Sequence, residues 1–512
     1  MMRRSDPKSE SGSSSGAPTP PIAFDIDPAD ATSHLDTQVV DVDDALLVRL
    51  RSVCASVDVE AAELAEASRD WWPLAMIWAL DGQVAARAAA VARPTSADQV
   101  AAVLQICNDA RVPVTAAAGR SGVCGASIPL HGGVLLDLCG LDGIVDVDDT
   151  SLVVDVRAGT FGTWFEDTLR AEHGVTVGHW PQSIDLSTVG GWLACRGAGQ
   201  LSTRYGKIED MVVGLDVTLA DGTRIHTGGN ARAAVGPDLD QVFVGSEGTL
   251  GIITGARLRL HPKPATDRRA AYGWPDFDAG LEACRRILRR GATPAVLRLY
   301  DALEGERNFG TGDLHPLLVL DEGDPALVDA TLAVVSEECA GAAVLDAGLL
   351  DTWLEHRNDV SALERLIRRG FVVDTMEITV PWAAATRVYE RATAAIIAVE
   401  HTLTASAHQS HAYTDGACLY FTFAGAPPPD QREAYYRAAW DAGTRAVLAE
   451  GGALSHHHGI GLNRARFVRD ALGGSFAVLE AMKTALDPNG ILNPGKLGLP
   501  DPWAGGATTT WS

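Results

Sequence analysis

The stretch QSIDLSTVGG (182–191) is the part of the sequence that decides the fold. Three further loops share its small residues: TAAAGRS (115–121), CRGA (195–198) and GSEGTLG (245–251). Gly and Ala let a phosphate approach the main chain, and amides in a turn bind an anion without needing lysine. One such loop is usually only a turn, but four in one region favour a site for a nucleotide cofactor.

These loops, together with Ile253 two residues beyond the last of them, supply the candidate cofactor contacts. The candidates are Thr115, Ala116, Ala117, Ala118, Gly119, Arg120, Ser121, Gln182, Ser183, Ser187, Thr188, Cys195, Arg196, Gly197, Ala198, Gly245, Ser246, Glu247, Gly248, Thr249, Leu250, Gly251 and Ile253. The signatures GxGxxG, GxxxxGK[ST] and HExxH are missing from the sequence, and GxSxG occurs only as GSSSG (12–16) in the Ser- and Gly-rich tail. A Rossmann dinucleotide site and a serine hydrolase elbow are therefore poorly supported.

The elements around the loops alternate between strand and helix. An apolar strand near residues 87–94 precedes a helix that Thr95 or Ser96 can cap, and a second strand at 112–116 completes a βαβ-like unit. We expect further strands at 134–138, 152–156, 212–219 and 252–260, a helix at 163–171, and, beyond HPKP (261–264), a helix at 278–290 and strands at 295–299, 371–373 and 417–423. The fold class is thus α+β and rich in α/β units.

The composition along the chain predicts six segments. They are a disordered tail (1–35), a helical lead-in (36–83), a cofactor-binding domain (84–265), a substrate or cap domain (266–450), a segment returning to the first domain through DPNGILNPGKLG (451–500), and a tail (501–512). Ser, Gly, Pro and Asp dominate the first segment, which has too little apolar surface to offset ordering.

The charge balance argues against nucleic acid as a partner. Acidic side chains number 66 and basic ones 42, which gives a formal charge of −24, and this opposes binding to a phosphate backbone or an anionic lipid surface. The sequence contains no run of 18 apolar residues, so we expect no transmembrane segment, and a peripheral membrane contact stays open. The eight cysteines have no framework spacing, which fits a cytoplasmic location.

Several motifs resemble the flavin domain of the vanillyl-alcohol oxidase type, also called the PCMH-type FAD-binding domain. They are TAAAGRS (115–121), which is the first loop along the chain, and the runs PQSIDLSTVGG, YGKIED (205–210), GSEGTLG and DPNGILNPGK. The resemblance implies FAD lying between two α/β subdomains, with its isoalloxazine facing a cap domain. Many relatives attach the flavin to a histidine after the first loop, where this chain has Ser121, Gly122, Val123 and Cys124, so we expect non-covalent FAD. A thioether through Cys124 stays open beside its interpretation as a buried structural cysteine.

The second half is similar to alkyl-dihydroxyacetone-phosphate synthase. The similar motifs are RLYD (298–301), DTMEITVPW (374–382), YTDGACLYF (413–421) and SHHHGIG (455–461). The family replaces an acyl group by a fatty alcohol without net redox change, which implies ether-lipid chemistry and a small-molecule substrate that is phosphorylated or lipid-like. A homodimer is a possible assembly. The residues that match the family's active-site positions are His179, Thr188, Arg298, Tyr420, His456, His457 and His458.

Two of these residues also have a structural interpretation. Tyr420 matches the proposed proton acceptor, but alternation along ACLYFTF also suits a core aromatic. Arg298 lies between Leu297 and Leu299 in an apolar strand and needs a partner, for which Asp301 is the structural candidate and a substrate anion the functional one.

The sequence departs from the synthase pattern at two positions. Gln182 stands where the family has an aspartate. An arginine that the family uses for substrate binding falls on Leu363, and only a two-residue shift would bring Arg365 into register. The match therefore leaves the exact reaction open.

A D-2-hydroxy-acid dehydrogenase of the same superfamily is the alternative. Such enzymes hold a divalent metal with two histidines and a glutamate, and Ala412, Tyr420 and His457 occupy those positions here. His411 is one residue out of register, and we interpret it as an unpaired surface histidine. We therefore expect no metal and rank the synthase-like reaction first, with an FAD-linked oxidation of another alcohol open. A pure binding protein would leave Tyr420 and the triple histidine without a role.

Overall fold

The computed structural model describes residues 14–504, which fold into a split α/β half and a large antiparallel cap. The region before the first α/β unit contains β1 (Thr32–Ser33), α1 (Asp44–Val53), β2 (Ser56–Asp58), α2 (Ala61–Ala67), α3 (Pro73–Leu80) and β3 (Gln83–Val84).

The described part of the N-terminal tail is ordered, so the prediction of disorder over 1–35 is wrong for residues 14–35. Ile22 is 1% exposed in the main core, and its carbonyl accepts a hydrogen bond from Arg69. β1 pairs in parallel with β3. A few apolar contacts made far along the chain anchor this polar segment, and composition alone does not reveal them. Residues 1–13 and 505–512 lie outside the described residues.

The predicted helical lead-in is not one unit. β2 pairs with a strand of the first α/β subdomain, and α1 packs on the same core. In contrast, α3 packs into the core of the cap, where Trp72 donates a hydrogen bond to the Tyr436 hydroxyl (2.9 Å). The segment therefore connects the two halves.

The first α/β subdomain has a four-stranded sheet in the order β2-β4-β6-β5. Its elements are β4 (Ala90–Arg93), α4 (Ala97–Ala110), β5 (Val114–Ala117) and β6 (Val134–Asp137). Ser96 caps α4, and its hydroxyl accepts from the Gln99 amide (3.3 Å). β5 and β4 both run parallel to β6, as expected for a βαβ unit.

The second subdomain has an antiparallel sheet in the order β11-β10-β12-β8-β7. Its elements are β7 (Ile144–Asp148), β8 (Val153–Arg157), α5 (Gly162–Thr168), β9 (Val175–Thr176), α6 (Val189–Cys195), α7 (Ser202–Tyr205), α8 (Ile208–Met211), β10 (Val212–Thr218), β11 (Arg224–His226), α9 (Asp240–Phe243), β12 (Ile252–Arg259) and β13 (His261–Pro262).

The cap is a seven-stranded antiparallel sheet in the order β17-β14-β16-β15-β19-β20-β18. Its elements are β14 (Thr266–Trp274), α10 (Phe277–Arg289), β15 (Val296–Tyr300), α11 (Ala302–Phe309), β16 (His315–Gly323), α12 (Pro325–Glu338), β17 (Ala343–Leu345), α13 (Leu349–His356), α14 (Ser361–Arg368), β18 (Val372–Pro381), α15 (Ala385–Ile397), β19 (Thr402–Ala412), β20 (Gly416–Gly425) and α16 (Arg432–Ala449).

The last part of the chain contains α17 (Val468–Leu472) and α18 (Phe476–Leu486) and then returns to the first subdomain. The Val114 amide donates to the Ile491 carbonyl (2.7 Å), and the Asn493 amide donates to the Val114 carbonyl (2.8 Å). Ile491 and Leu492 are fully buried in that subdomain's core. The final segment thus extends the edge of the sheet from which the first small-residue loop leaves.

Candidate active site

A cavity of about 280 Å³ lies where the two α/β subdomains meet the cap sheet. Most of the predicted cofactor residues line it: Ala116, Ala117, Ala118, Gly119, Arg120, Ser121, Gln182, Ser183, Ser187, Thr188, Cys195, Gly197, Ala198, Glu247, Gly248, Gly251 and Ile253. The candidates outside the lining are Thr115, Arg196, Gly245, Ser246, Thr249 and Leu250. The structure therefore brings all four loops to one cavity.

Close contact between loops explains their small residues. A methyl group added to Gly119 would collide with the backbone carbonyl of Leu186, so this glycine lets the first loop touch the second. Gly248 has φ +71°, and a side chain there would project toward Ala116 and Ile252, which both line the cavity. Glycine at 248 thus adopts the positive φ without strain, and it leaves the cavity free of a side chain beside Ala116 and Ile252.

Two buried carboxylates join the triple-histidine loop to the rest of the site. Glu247 accepts hydrogen bonds from the amides of Ile460 (2.5 Å) and Gly461 (2.9 Å). Glu377, on β18, accepts from the amides of His456 (2.5 Å) and His458 (2.6 Å). The sequence analysis did not assign Glu377 a role, although an acidic residue within the apolar strand sequence DTMEITV was a signal that it has a buried partner.

Four of the six catalytic candidates line the cavity: Arg298, Tyr420, His457 and His458. His456 and His179 lie outside the lining. His179 is fully buried against Trp192 (ring centres 4.6 Å apart), and neither of its ring nitrogens has a hydrogen-bond partner among the described residues. Burial lowers the pKa of His179 to about 3, so its ring is neutral.

The hydrogen-bond partners of Arg298 differ from Asp301, the partner considered from the sequence. Its guanidinium donates to the Tyr300 hydroxyl (2.8 Å) and to Nε2 of His408 (2.6 Å). Because the arginine can only donate, His408 must accept at Nε2 and donate from Nδ1 to Glu304 (2.7 Å). Asp301 instead caps α11 and accepts from the Ala407 amide (2.7 Å).

Tyr420 lies on the cavity side of β20, where its hydroxyl donates to Thr375 Oγ1 (3.0 Å). Its ring stacks on His408 with centres 4.9 Å apart. Burial raises the pKa of the phenol above its ordinary value, although the hydrogen bond to Thr375 opposes the shift. The phenol is therefore protonated at neutral pH.

His411 is buried beside the triple histidine, so its interpretation as a surface residue is wrong. Its Nδ1 lies 2.8 Å from Ser202 Oγ, and its ring stacks on His456 with centres 4.9 Å apart. Burial lowers the pKa of His411, His456 and His457 well below the ordinary histidine value. His411 was misassigned from sequence because its partner Ser202 lies far away along the chain.

Lys207, within the quoted YGKIED run, is a third residue to which the sequence analysis assigned no role. Its ammonium donates to the His456 carbonyl (2.6 Å) and pairs with Glu209 (3.0 Å). It places a cation from the flavin-binding half beside the histidines of the cap.

Of the two residues that depart from the synthase pattern, one lies at the cavity and the other does not. Gln182 lines the cavity. Leu363 packs against the core of the cap, and Arg365 is exposed and donates to Ser361 (2.9 Å). Val360, just before α14, does reach the cavity. Neither alignment of α14 therefore supplies an arginine to the described lining.

Cys124 does not contribute to the described lining, although Val123 and Ala126 on either side do. Its carbonyl accepts from the amides of Leu462 (2.8 Å) and Asn463 (3.1 Å), and burial raises the pKa of its thiol. These contacts agree with a structural cysteine.

Two protein-family models match the chain. One, described as an FAD binding domain, covers residues 88–228, and the other, described as the C-terminal domain of FAD linked oxidases, covers residues 263–497. The uncharacterized FAD-linked oxidoreductase YgcU of Escherichia coli is 32% identical over 432 residues, which span 80% of this chain and 88% of that protein. This chain belongs to the FAD-linked oxidase family.

Two further relatives within this family agree with the observed architecture. The alkyldihydroxyacetonephosphate synthase of Dictyostelium discoideum is 29% identical over 456 residues, which span 81% of this chain and 74% of that enzyme. A solved structure of an alkyldihydroxyacetonephosphate synthase superposes with a TM-score of 0.73 at 25% identity, covering 90% of this chain and 87% of the other. The PCMH-type fold predicted from the motifs is confirmed.

The cofactor of this FAD-linked oxidase family member is FAD. The cavity fits it, because the four loops form an apolar cradle whose open face a side chain at Gly248 would fill. Within residues 14–504, no helix combines the length and apolar character needed to cross a membrane.

Proposed function

We propose that the protein oxidises an alcohol, using FAD held by the four small-residue loops. The observation that carries the proposal is one cavity lined both by those loops and by Arg298, Tyr420, His457 and His458. A substrate hydroxyl next to these groups has a phenol and neutral imidazoles within reach for proton transfer.

Charge at the cavity favours oxidation of a substrate without a phosphate. Among the described lining residues, the arginines are Arg120 and Arg298. Arg120 pairs with Asp137 (3.5 Å), while Arg298 is held by Tyr300 and His408. The synthase's additional arginine has no counterpart in that lining, since Leu363 packs against the core of the cap and Arg365 is exposed.

Each residue has a defined part in this proposal. FAD, when bound, supplies the two-electron acceptor for the alcohol carbon. The deprotonated form of Tyr420, a minor species at neutral pH, receives the hydroxyl proton, and the neighbouring Thr375 hydroxyl fixes the direction of the phenol oxygen. The Glu304–His408 pair orients Arg298 toward the substrate oxygen. Lys207 and Glu377 hold the histidine loop against the cavity.

A second candidate is the synthase-like exchange of an acyl group for a fatty alcohol, which would make the protein part of ether-lipid synthesis. It is favoured by Arg298, Tyr420, His457 and His458, because these residues match the synthase's site and all reach the cavity. Under this candidate, the substrate's phosphate has to be bound without the missing arginine.

An anaerobic assay separates the two candidates. The FAD-loaded protein is mixed with a panel of primary alcohols and 2-hydroxy acids, and separately with acyl-dihydroxyacetone phosphate plus an isotope-labelled fatty alcohol. Oxidation predicts loss of the oxidised-flavin absorbance together with one carbonyl product per FAD. Labelled ether formed without an oxidised product would replace the first proposal by the second, and failure of both arms would overturn both for these substrates.

A further inference from the structure

We propose that His411, His456 and His457 bind a single zinc ion at the edge of the cavity. The three side chains come from the end of β19 and from the triple-histidine loop, so only the folded cap brings them together. One ring nitrogen of each lies within 4.8 Å of the others.

The spacing of the rings matches coordination of one tetrahedral ion. Ring centres are 4.9 Å apart for His411 and His456, 5.1 Å for His411 and His457, and 5.1 Å for His456 and His457. Tetrahedral angles and Zn–N bonds of about 2.0–2.1 Å place imidazole centres about 5 Å apart. The nearly equal sides of this triangle suit three imidazoles around one cation, which the stacked His411 and His456 rings, now inclined by 24°, would bind after turning about their side-chain bonds.

Hydroxyl groups outside the triangle orient two of the rings. His411 Nδ1 lies 2.8 Å from Ser202 Oγ, and His456 Nε2 lies 3.0 Å from the Tyr413 hydroxyl. With N–H groups donating to these oxygens, His411 keeps a lone pair on Nε2 and His456 keeps one on Nδ1. His456 Nδ1 lies 2.8 Å from His457 Nδ1, so His457 donates to it from Nδ1 and keeps its own lone pair on Nε2; a bound ion would replace this hydrogen bond at His456. Metal-binding histidines are commonly oriented through their second nitrogen in this way.

The surroundings favour a site with an open fourth position. His411 and His457 both line the cavity, so a fourth ligand would come from that side. Three neutral imidazoles suit zinc and offer no negative charge. The Lys207 ammonium, bonded to the His456 carbonyl, adds positive charge nearby. The fourth ligand is therefore an anionic oxygen, such as hydroxide or a substrate carboxylate or alkoxide.

This ligand set differs from that of the hydroxy-acid dehydrogenases. Their ligand positions fall on Ala412, Tyr420 and His457, and only His457 belongs to both sets. The expectation that the chain binds no metal rested on those positions alone. The zinc site does not depend on which reaction the protein catalyses, so its test needs no substrate.

Zinc binding is measured on the FAD-loaded protein after treatment with a chelator and its removal. Elemental analysis and titration calorimetry with Zn²⁺ should show one ion per chain. His411→Gln and His457→Gln should each abolish stoichiometric binding while FAD absorbance and the melting temperature show that the protein is folded. Ser202→Ala, a milder change, should weaken zinc binding about 10–100-fold, because it removes only the orienting hydroxyl.

The matched control is His458→Gln, since His458 belongs to the same histidine run but not to the triangle. This variant should retain one zinc ion per chain. Parental protein without stoichiometric zinc, parental affinity in the His411→Gln and His457→Gln variants, or equal loss in His458→Gln would each overturn the proposal. The last outcome would indicate binding by the histidine run alone.

Discussion

Replacing Tyr420 with Phe tests whether the phenol transfers a proton. The structure gives its hydroxyl one hydrogen bond, to Thr375, and the substitution keeps the ring stacked on His408. Loss of that bond should cost about 0.5–1.5 kcal/mol of folding free energy. Loss of proton transfer should lower kcat about a hundredfold or more, equivalent to about 2.7 kcal/mol in the barrier.

Steady-state kinetics with the alcohol found in the anaerobic assay measure this effect, and FAD absorbance reports whether the cofactor site is intact. Tyr435→Phe is the matched control, because this buried tyrosine also bonds a threonine hydroxyl, Thr402 (3.2 Å), away from the cavity. We expect that control to keep parental kcat. Activity of Tyr420→Phe within about fivefold of the parent, with full FAD, would remove Tyr420 from the reaction.

The pH dependence provides a second measurement on the same residue. Burial raises the pKa of Tyr420 above its ordinary value of about 10. The deprotonated phenol therefore becomes more abundant throughout the neutral range as pH rises. If it is the proton acceptor, log kcat should increase by about one per pH unit between pH 7 and 9. A flat profile in this range would show that the phenol acts only as a hydrogen-bond donor.

Three further predictions concern the cofactor and the fold. Acid denaturation should release all FAD into the supernatant, because Cys124 lies outside the described lining; flavin retained on the polypeptide contradicts this. Gly119→Val and Gly248→Val should lower FAD content severalfold, whereas Gly341→Val, with no atoms near the added Cβ, should not. Burial raises the pKa of Glu166 to about 7, so the fold favours its protonated form and loses stability as pH rises from 4.5 to 7. Glu166→Gln should remove this decrease in melting temperature.

The parts of the fold that depend on local pattern followed from the sequence. The strands, the Ser96-capped helix and the four loops could be predicted because their signals are local. Hydrophobic periodicity and runs of small residues can be recognised within a few consecutive residues. Gly119 illustrates the limit: the sequence suggested a contact with phosphate, but its nearest neighbour is the backbone of Leu186. Which loop touches which is set by the packing of both subdomains.

The candidate site was only partly predictable for the same reason. Tyr420 and Arg298 could be found through motif resemblance, and both line the cavity, while their catalytic roles remain predictions. His411 could not be found, because its burial depends on Ser202 across the interface between the cap and the flavin-binding half. The ordered segment around Ile22 was not predicted because Ile22, Phe24 and Ile26 are a short apolar pattern within a stretch that is otherwise rich in Ser, Gly, Pro and Asp.

The hydrogen bonds between Val114 and residues 491–493 have a consequence for biosynthesis. The edge of the first sheet, and the Glu247 contacts that hold the histidine loop, require residues 460–493, which follow the whole cap along the chain. A nascent chain can form most of the flavin-binding half early, yet it cannot close the cofactor site until residues 460–493 have been synthesised. Truncated products should therefore accumulate as apoprotein, open to proteolysis at the first loop.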